Sequence, residues 1–221
     1  MMVTEYELFL SSFQVIAVLV LLYVNYVKSR IEERKRLLFA AFLLYLFHLI
    51  SQTYNVFLQL RGEPFLEVAA ISSHVFETLF FMTYGYAIVN ALVADPILHR
   101  INRTNMYVVL LFILVFSVGM VMIEGKNLVF AHTYKELVYE LVELTIQVLI
   151  LNIVYHSWKD TRARHLVYTG VAFALFISGT VGHVYALLYE TAPMELYSLL
   201  RTALYLPALY LMAYAAIFVE K

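Results

Sequence analysis

The sequence predicts an all-α integral membrane protein, a single domain built as a seven-transmembrane helix bundle. Three observations carry that expectation. Apolar residues make up 63% of the 221-residue chain and charged residues only 14%, against about 45–50% and about 25% in soluble domains. The mean hydropathy of +0.80 implies more apolar surface than a soluble globule of this size can hide. The apolar residues also fall in runs of about 20 or more, the length a helix needs to cross the hydrocarbon layer. Alternating strand patterns of a membrane barrel are not seen.

Seven spans follow, at 5–27, 37–60, 65–93, 105–124, 128–157, 165–190 and 196–219. The first lacks a basic leader and an A-x-A site, so it reads as a retained span. It brings Glu7, Ser11 and Gln14. The second carries Tyr45, His48, Gln52, Asn55 and Gln59 as a polar face, and the third carries Glu67, His74 and Glu77. The third and fifth exceed the needed length and should tilt or project. The fourth has almost nothing polar and should be the most lipid-exposed. The fifth holds His132, Glu136, Glu140, Glu143 and Gln147, which at about 100° per residue lie within an arc of roughly 80°. The sixth holds His183 beside Gly179 and Gly182. The seventh holds Arg201, with Tyr197 and Tyr205 one turn away on either side. Short connections make sequence neighbours spatial neighbours. No internal repeat is visible.

Lys and Arg set the orientation, because positive loops stay cytoplasmic. Lys28, Arg30, Arg34, Lys35, Arg36, Arg100, Arg103, Lys159, Arg162, Arg164 and Lys221 fall on one side, and only Arg61 and Lys126 on the other. The N-terminus is expected outside and the C-terminus in the cytoplasm of a prokaryotic cell membrane. His99, His156 and His165 then sit at cytoplasmic loops, as ordinary headgroup-level histidines.

Several chemistries are excluded. With no Cys there is no disulfide, thiolate zinc site or cysteine nucleophile. A net charge of -1 leaves no basic face for nucleic acid. The seventh span has no internal Lys, so no retinal Schiff base forms. It also lacks the H-x-x-x-H pair of seven-helix hydrolases of the progestin and adipoQ receptor type. H-E-x-x-H, G-x-S-x-G and phosphate-loop motifs are missing. None of the motifs carries a resemblance to a known family.

With a rise of about 1.5 Å per residue, His48, Glu77 and Glu140 lie about 18 Å below their outer ends, His74 about 14 Å, Glu136 about 12 Å, His183 about 10 Å and Arg201 about 8 Å. Five helices thus bring polar groups to one layer between the outer surface and the midplane, a pocket expected to open outward. Four carboxylates against Arg201 are unbalanced, and an uncompensated intramembrane ion costs at least about 2.5–3.5 kcal/mol. Protonation, water or a bound cation would relieve it. Imidazole beside carboxylate suits zinc, iron or manganese. The expected metal set is His48, His74 and His183, with Glu136, Glu140 and Glu77 as further ligands. Gln52, Asn55, Glu143, Arg201, Tyr45, Tyr139 and Tyr205 are expected around it as pocket or supporting residues. Any one of these histidines alone reads first as a hydrogen-bonded packing residue, and it is the convergence of His48, His74 and His183 beside several Glu that points to a site. Haem b between two histidines ranks below a His/Glu metal, because clustered carboxylates suit a harder cation.

Three functions compete. The first is a sensor or receptor bundle that signals through the seventh span to a cytoplasmic partner or a separate output domain. The second is an intramembrane metal-dependent hydrolase or oxidase with Glu140 as general base. The third is a cation or proton transporter using the fifth-span stripe. The stripe stops at Gln147, with only Asn152 and Tyr155 before His156, which favours a blind pocket and places the sensor first.

Overall fold

The computed structural model describes residues 2–29, 33–61, 67–92, 128–189 and 194–219. Among them all regular structure is helical. Helix α1 is Met2–Ser29, α2 Glu33–Leu60, α3 Glu67–Leu92, α4 Leu128–Thr161, α5 Arg164–Leu188 and α6 Met194–Tyr214, continued by a π-helical turn at Ala215–Val219. These are the first, second, third, fifth, sixth and seventh expected spans. The fourth, 105–124, lies outside the described residues.

Among the described residues, five helices, α1, α2, α4, α5 and α6, are long and apolar enough to cross a bilayer. Helix α3 carries Ser72, Ser73, His74, Glu77 and Thr78 in its first half. The distribution of side chains inverts that of a soluble domain. Phe9, Ile16, Leu19, Tyr23, Ile50, Leu149 and Leu196 point outward, while Gln14, Asn25, Glu77, Glu140, Glu143 and Gln147 are buried. Lipid-facing helices need this arrangement, since only the bundle interior can satisfy a polar group.

The helices close into a ring in chain order, each packed on the next and α6 back on α1. Pairwise contacts give their directions. Phe42 meets Tyr84 while His48 meets Ser73, so α2 and α3 are antiparallel. His74 stacks on Tyr139, Thr78 bonds Glu143, and Gly85 abuts Ile150, so α3 and α4 run parallel. Gln147 meets Thr180 and a Cβ on Gly170 would touch Val154, which makes α4 and α5 antiparallel. The pairs Tyr197–Tyr185 and Tyr214–Tyr168 do the same for α5 and α6. Glu7 with Ser198, Gln14 with Thr202 and Lys28 with Ala216 run α1 parallel to α6.

The bundle core is aromatic. Phe80 lies 4.7 Å from Tyr45 and 4.9 Å from Phe81, and Phe81 lies 5.4 Å from Phe176. Phe176 in turn lies edge-on to Tyr205 at 4.7 Å. Phe42, Phe173 and Tyr84 complete this layer. Offset and edge-on rings fill such a space densely.

Between α4 and α5 the turn is two residues long. Arg162 adopts a left-handed conformation with φ 55, and its guanidinium lies 4.8 Å over the Trp158 ring.

Candidate functional site

Arg201 enters the bundle from α6 one turn before Tyr205, on the face that meets α5. Gly179 of α5 permits that approach: a Cβ there would lie 2.9 Å from Tyr205 Cε1 and 3.3 Å from Arg201 Cα. The ring of Tyr205 supports the guanidinium, 5.2 Å from ring centroid to Cζ.

Three carboxylates share this guanidinium. Arg201 Nη2 lies 2.7 Å from Glu77 Oε1 and 3.1 Å from Glu143 Oε2, and Nη1 pairs with Glu140 Oε1. Glu77 comes from α3, and Glu140 and Glu143 come from adjacent turns of α4. All three are almost inaccessible, at 1%, 0% and 0% exposure. A planar fork of five donors suits such sharing better than an ammonium would.

Histidines flank the carboxylates. His183 Nδ1 is 2.9 Å from Glu140 Oε1 and 3.2 Å from Arg201 Nη1. His48 Nδ1 lies 3.0 Å from both the carbonyl and the hydroxyl of Ser73, and 3.5 Å from Glu77 Oε2. His74 stacks on Tyr139, with centroids 5.5 Å apart and planes 7° apart.

Hydroxyls and amides form two further layers. Thr78 donates to Glu143 Oε1 at 2.9 Å. Toward the aromatic core, Gln147 Nε2 donates to Thr180 at 3.1 Å and Tyr205 at 3.4 Å, and the hydroxyls of Thr180 and Tyr205 are 2.8 Å apart. On the opposite side of the ionic layer, Glu7 Oε1 accepts from Gln52 at 3.2 Å and Ser198 at 3.0 Å. That carboxylate ties α1 to α2 and α6.

No protein-family model, curated protein or solved structure matches this chain. Its chemistry therefore has to be read from its own residues. The structure brings Glu77, Glu140, Glu143, Arg201, His48 and His183 into one contact network, with Tyr205 beneath. Tyr45 is fully buried against His48 and Phe80. Asn55 is buried on α2, and Glu136 is half-buried one turn from Glu140 toward the start of α4. Gln52 belongs to the Glu7 layer.

Among the described residues, the three side chains whose candidate ligand atoms all lie within 4.8 Å of one another are His74, Glu77 and Glu143. The expected set of His48, His74 and His183 does not form that group. His183 is engaged by Glu140, and His48 by Ser73 and Glu77. The side chains of Glu67, Gln59 and His132, and all of His99, lie outside the described residues. His156 is exposed, and His165 half-buried near the start of α5.

Ser73, Thr78, Thr180 and Ser198 are the partners that sequence reasoning missed. Hydroxyls are common in spans because they bond the preceding turn of their own helix. The Thr78 hydroxyl also lies 2.8 Å from His74 O in the preceding turn, so its one proton is shared between that carbonyl and Glu143. No spacing distinguishes the few that also reach across.

At the other end of α4 and α5 an apolar cleft of about 210 Å³ is lined by Leu151, Val154, Trp158, Leu166 and Gly170 among others. None of its lining residues belongs to the ionic layer.

Proposed function

We propose that the chain is a seven-span membrane sensor, N-terminus outside and C-terminus cytoplasmic, whose buried ionic layer binds a small charged ligand and passes the event to α6. One observation carries the reading: the cation that α3 and α4 share through three carboxylates sits on α6. With the three carboxyls and Arg201 ionised and the imidazoles neutral, the described cluster holds two more negative charges than positive ones. Any ligand that neutralises this excess competes with Arg201 for the same oxygens and changes the force on α6. A ligand shifts such an equilibrium only by its differential affinity for the two positions, and direct competition for a buried counter-ion supplies that difference.

The parallel direction of α3 and α4 supports the seven-span reading. Two parallel helices in sequence need a return crossing between them, and the 105–124 run is long enough to make one. The aromatic layer supports a blind pocket over a transport path. Below the Gln147–Thr180–Tyr205 layer, the core among the described residues is packed with aromatic rings and holds no further buried carboxylate or imidazole to relay an ion.

The test is a distance measurement. Spin labels at Tyr23 of α1 and Tyr210 of α6, both exposed, should report a change of separation between pH 5 and pH 8 in lipid nanodiscs. Arg201→Gln should abolish that change. One unchanged distance across both conditions in the native background would refute the coupling.

A further inference from the structure

We propose that His74, Glu77 and Glu143 form a site for one divalent first-row transition metal ion, zinc being the simplest probe. This deepens, and rests on, the reading of the ionic layer as a ligand site. The ligand atoms lie within 4.8 Å of one another, so each is at most about 2.8 Å from a common centre. Zinc bonds to nitrogen and oxygen measure about 2.0–2.2 Å, and side-chain rotations of less than about an ångström close that gap. The donor set is one imidazole and two carboxylates, which suits zinc, iron or manganese and does not suit a soft ion.

Buried polar atoms lacking partners point to the same place. His74 Nδ1 is buried with no hydrogen-bond partner. Glu77 accepts no hydrogen bond on either oxygen, although Arg201 Nη2 is 2.7 Å from Oε1. That contact is Coulombic and off the hydrogen-bonding line. Buried groups of this kind ordinarily find partners, and a cation between α3 and α4 would use the lone pairs together.

Charge closes the argument. Glu77, Glu140 and Glu143 against Arg201 leave an excess of two negative charges, which one divalent ion cancels. His48 contacts Glu77 Oε2 and so orients a ligand from outside the coordination sphere, as supporting groups at metal sites do. The one-turn spacing of His74 and Glu77 presents both from a single face of α3, and α4 supplies the third donor.

The experiment uses the full chain in detergent, stripped with chelator and titrated with Zn²⁺ alone by calorimetry. The expected result is one tight equivalent, weakened about 100-fold or more in Glu143→Gln and in His74→Phe. The phenylalanine variant preserves the stack on Tyr139, and circular dichroism verifies its fold. His156→Ala, at an exposed position, should keep the equivalent. Absence of stoichiometric zinc, or unweakened binding in a folded His74→Phe, overturns the metal site. The spin-label pair separates the two readings. If zinc fails to bind and acid still moves α6, the metal site falls and the sensor stands. If zinc binds and α6 stays still, the reverse holds.

Discussion

Arg201 shows how much one residue can organise in a low-dielectric interior. Its guanidinium touches carboxylates from two helices and an imidazole from a third. Arg201→Leu strands three carboxylates, and breaking a buried pair costs about 3–5 kcal/mol. Arg201→Lys keeps the charge but cannot present a planar fork to three partners, so its loss should be intermediate. Thermal unfolding in detergent should rank native above Lys above Leu. Equal stability of all three would mean that the carboxylates are neutralised independently of Arg201. At this scale the sequence was partly legible. The stripe of Glu136, Glu140, Glu143 and Gln147 stands out because its spacing follows the helical period. Which stripe members meet Arg201, and which histidine joins two carboxylates, depends on helix rotation. Periodicity within one helix carries no information about the rotation of its neighbour.

Glycine spacing matters at the level of the helix pair. Gly179 and Gly182 both lie on α5 near α6, yet the structure separates their roles. A methyl group at Gly179 would press on the Tyr205 ring and the Arg201 backbone at 2.9–3.3 Å, while one at Gly182 meets nothing closer than 3.6 Å. Gly179→Ala should therefore destabilise by about 1–3 kcal/mol, the usual penalty of overpacking, and Gly182→Ala should be near neutral. Unfolding midpoints of the two variants in the same detergent check this contrast. Helix α6 has a second irregularity. Pro207 removes one backbone donor, and the helix widens to a π turn at 215–219, where Lys28 of α1 donates to Ala216 O at 3.0 Å. Pro207 was visible in the sequence. The π turn was not, because a one-residue change of hydrogen-bond register has no compositional signature.

Topology belongs to the whole molecule. Five apolar helices were legible because about 20 lipid-compatible residues in a row have few other uses. Orientation rests on loop charge, and labelling tests it. A cysteine at Asn127 should react with an impermeant thiol reagent from outside, and one at Thr161 should not. The reverse pattern would place the ionic layer nearer the cytoplasm. Metal affinity, if the layer holds an ion, should fall on acidification, because protonated imidazole and carboxyl groups cannot ligate. Zinc titrations at pH 7.5 and pH 5.5 measure that slope.

The phenyl rings below Gln147 also have an electrical consequence. Moving one charge through the full membrane field is worth about 2.3 kcal/mol per 100 mV. A dry aromatic layer of low polarisability takes most of that voltage drop, whereas a hydrated mouth takes little. In the proposed orientation, with the mouth on the outer side, an ion or proton reaching Arg201 would cross only a small part of the field. Occupancy in proteoliposomes should depend on external pH and ion concentration and hardly at all on an imposed diffusion potential. Phe176→Ala, which hollows the insulating layer beside Tyr205, should bring in a voltage dependence that the native protein lacks.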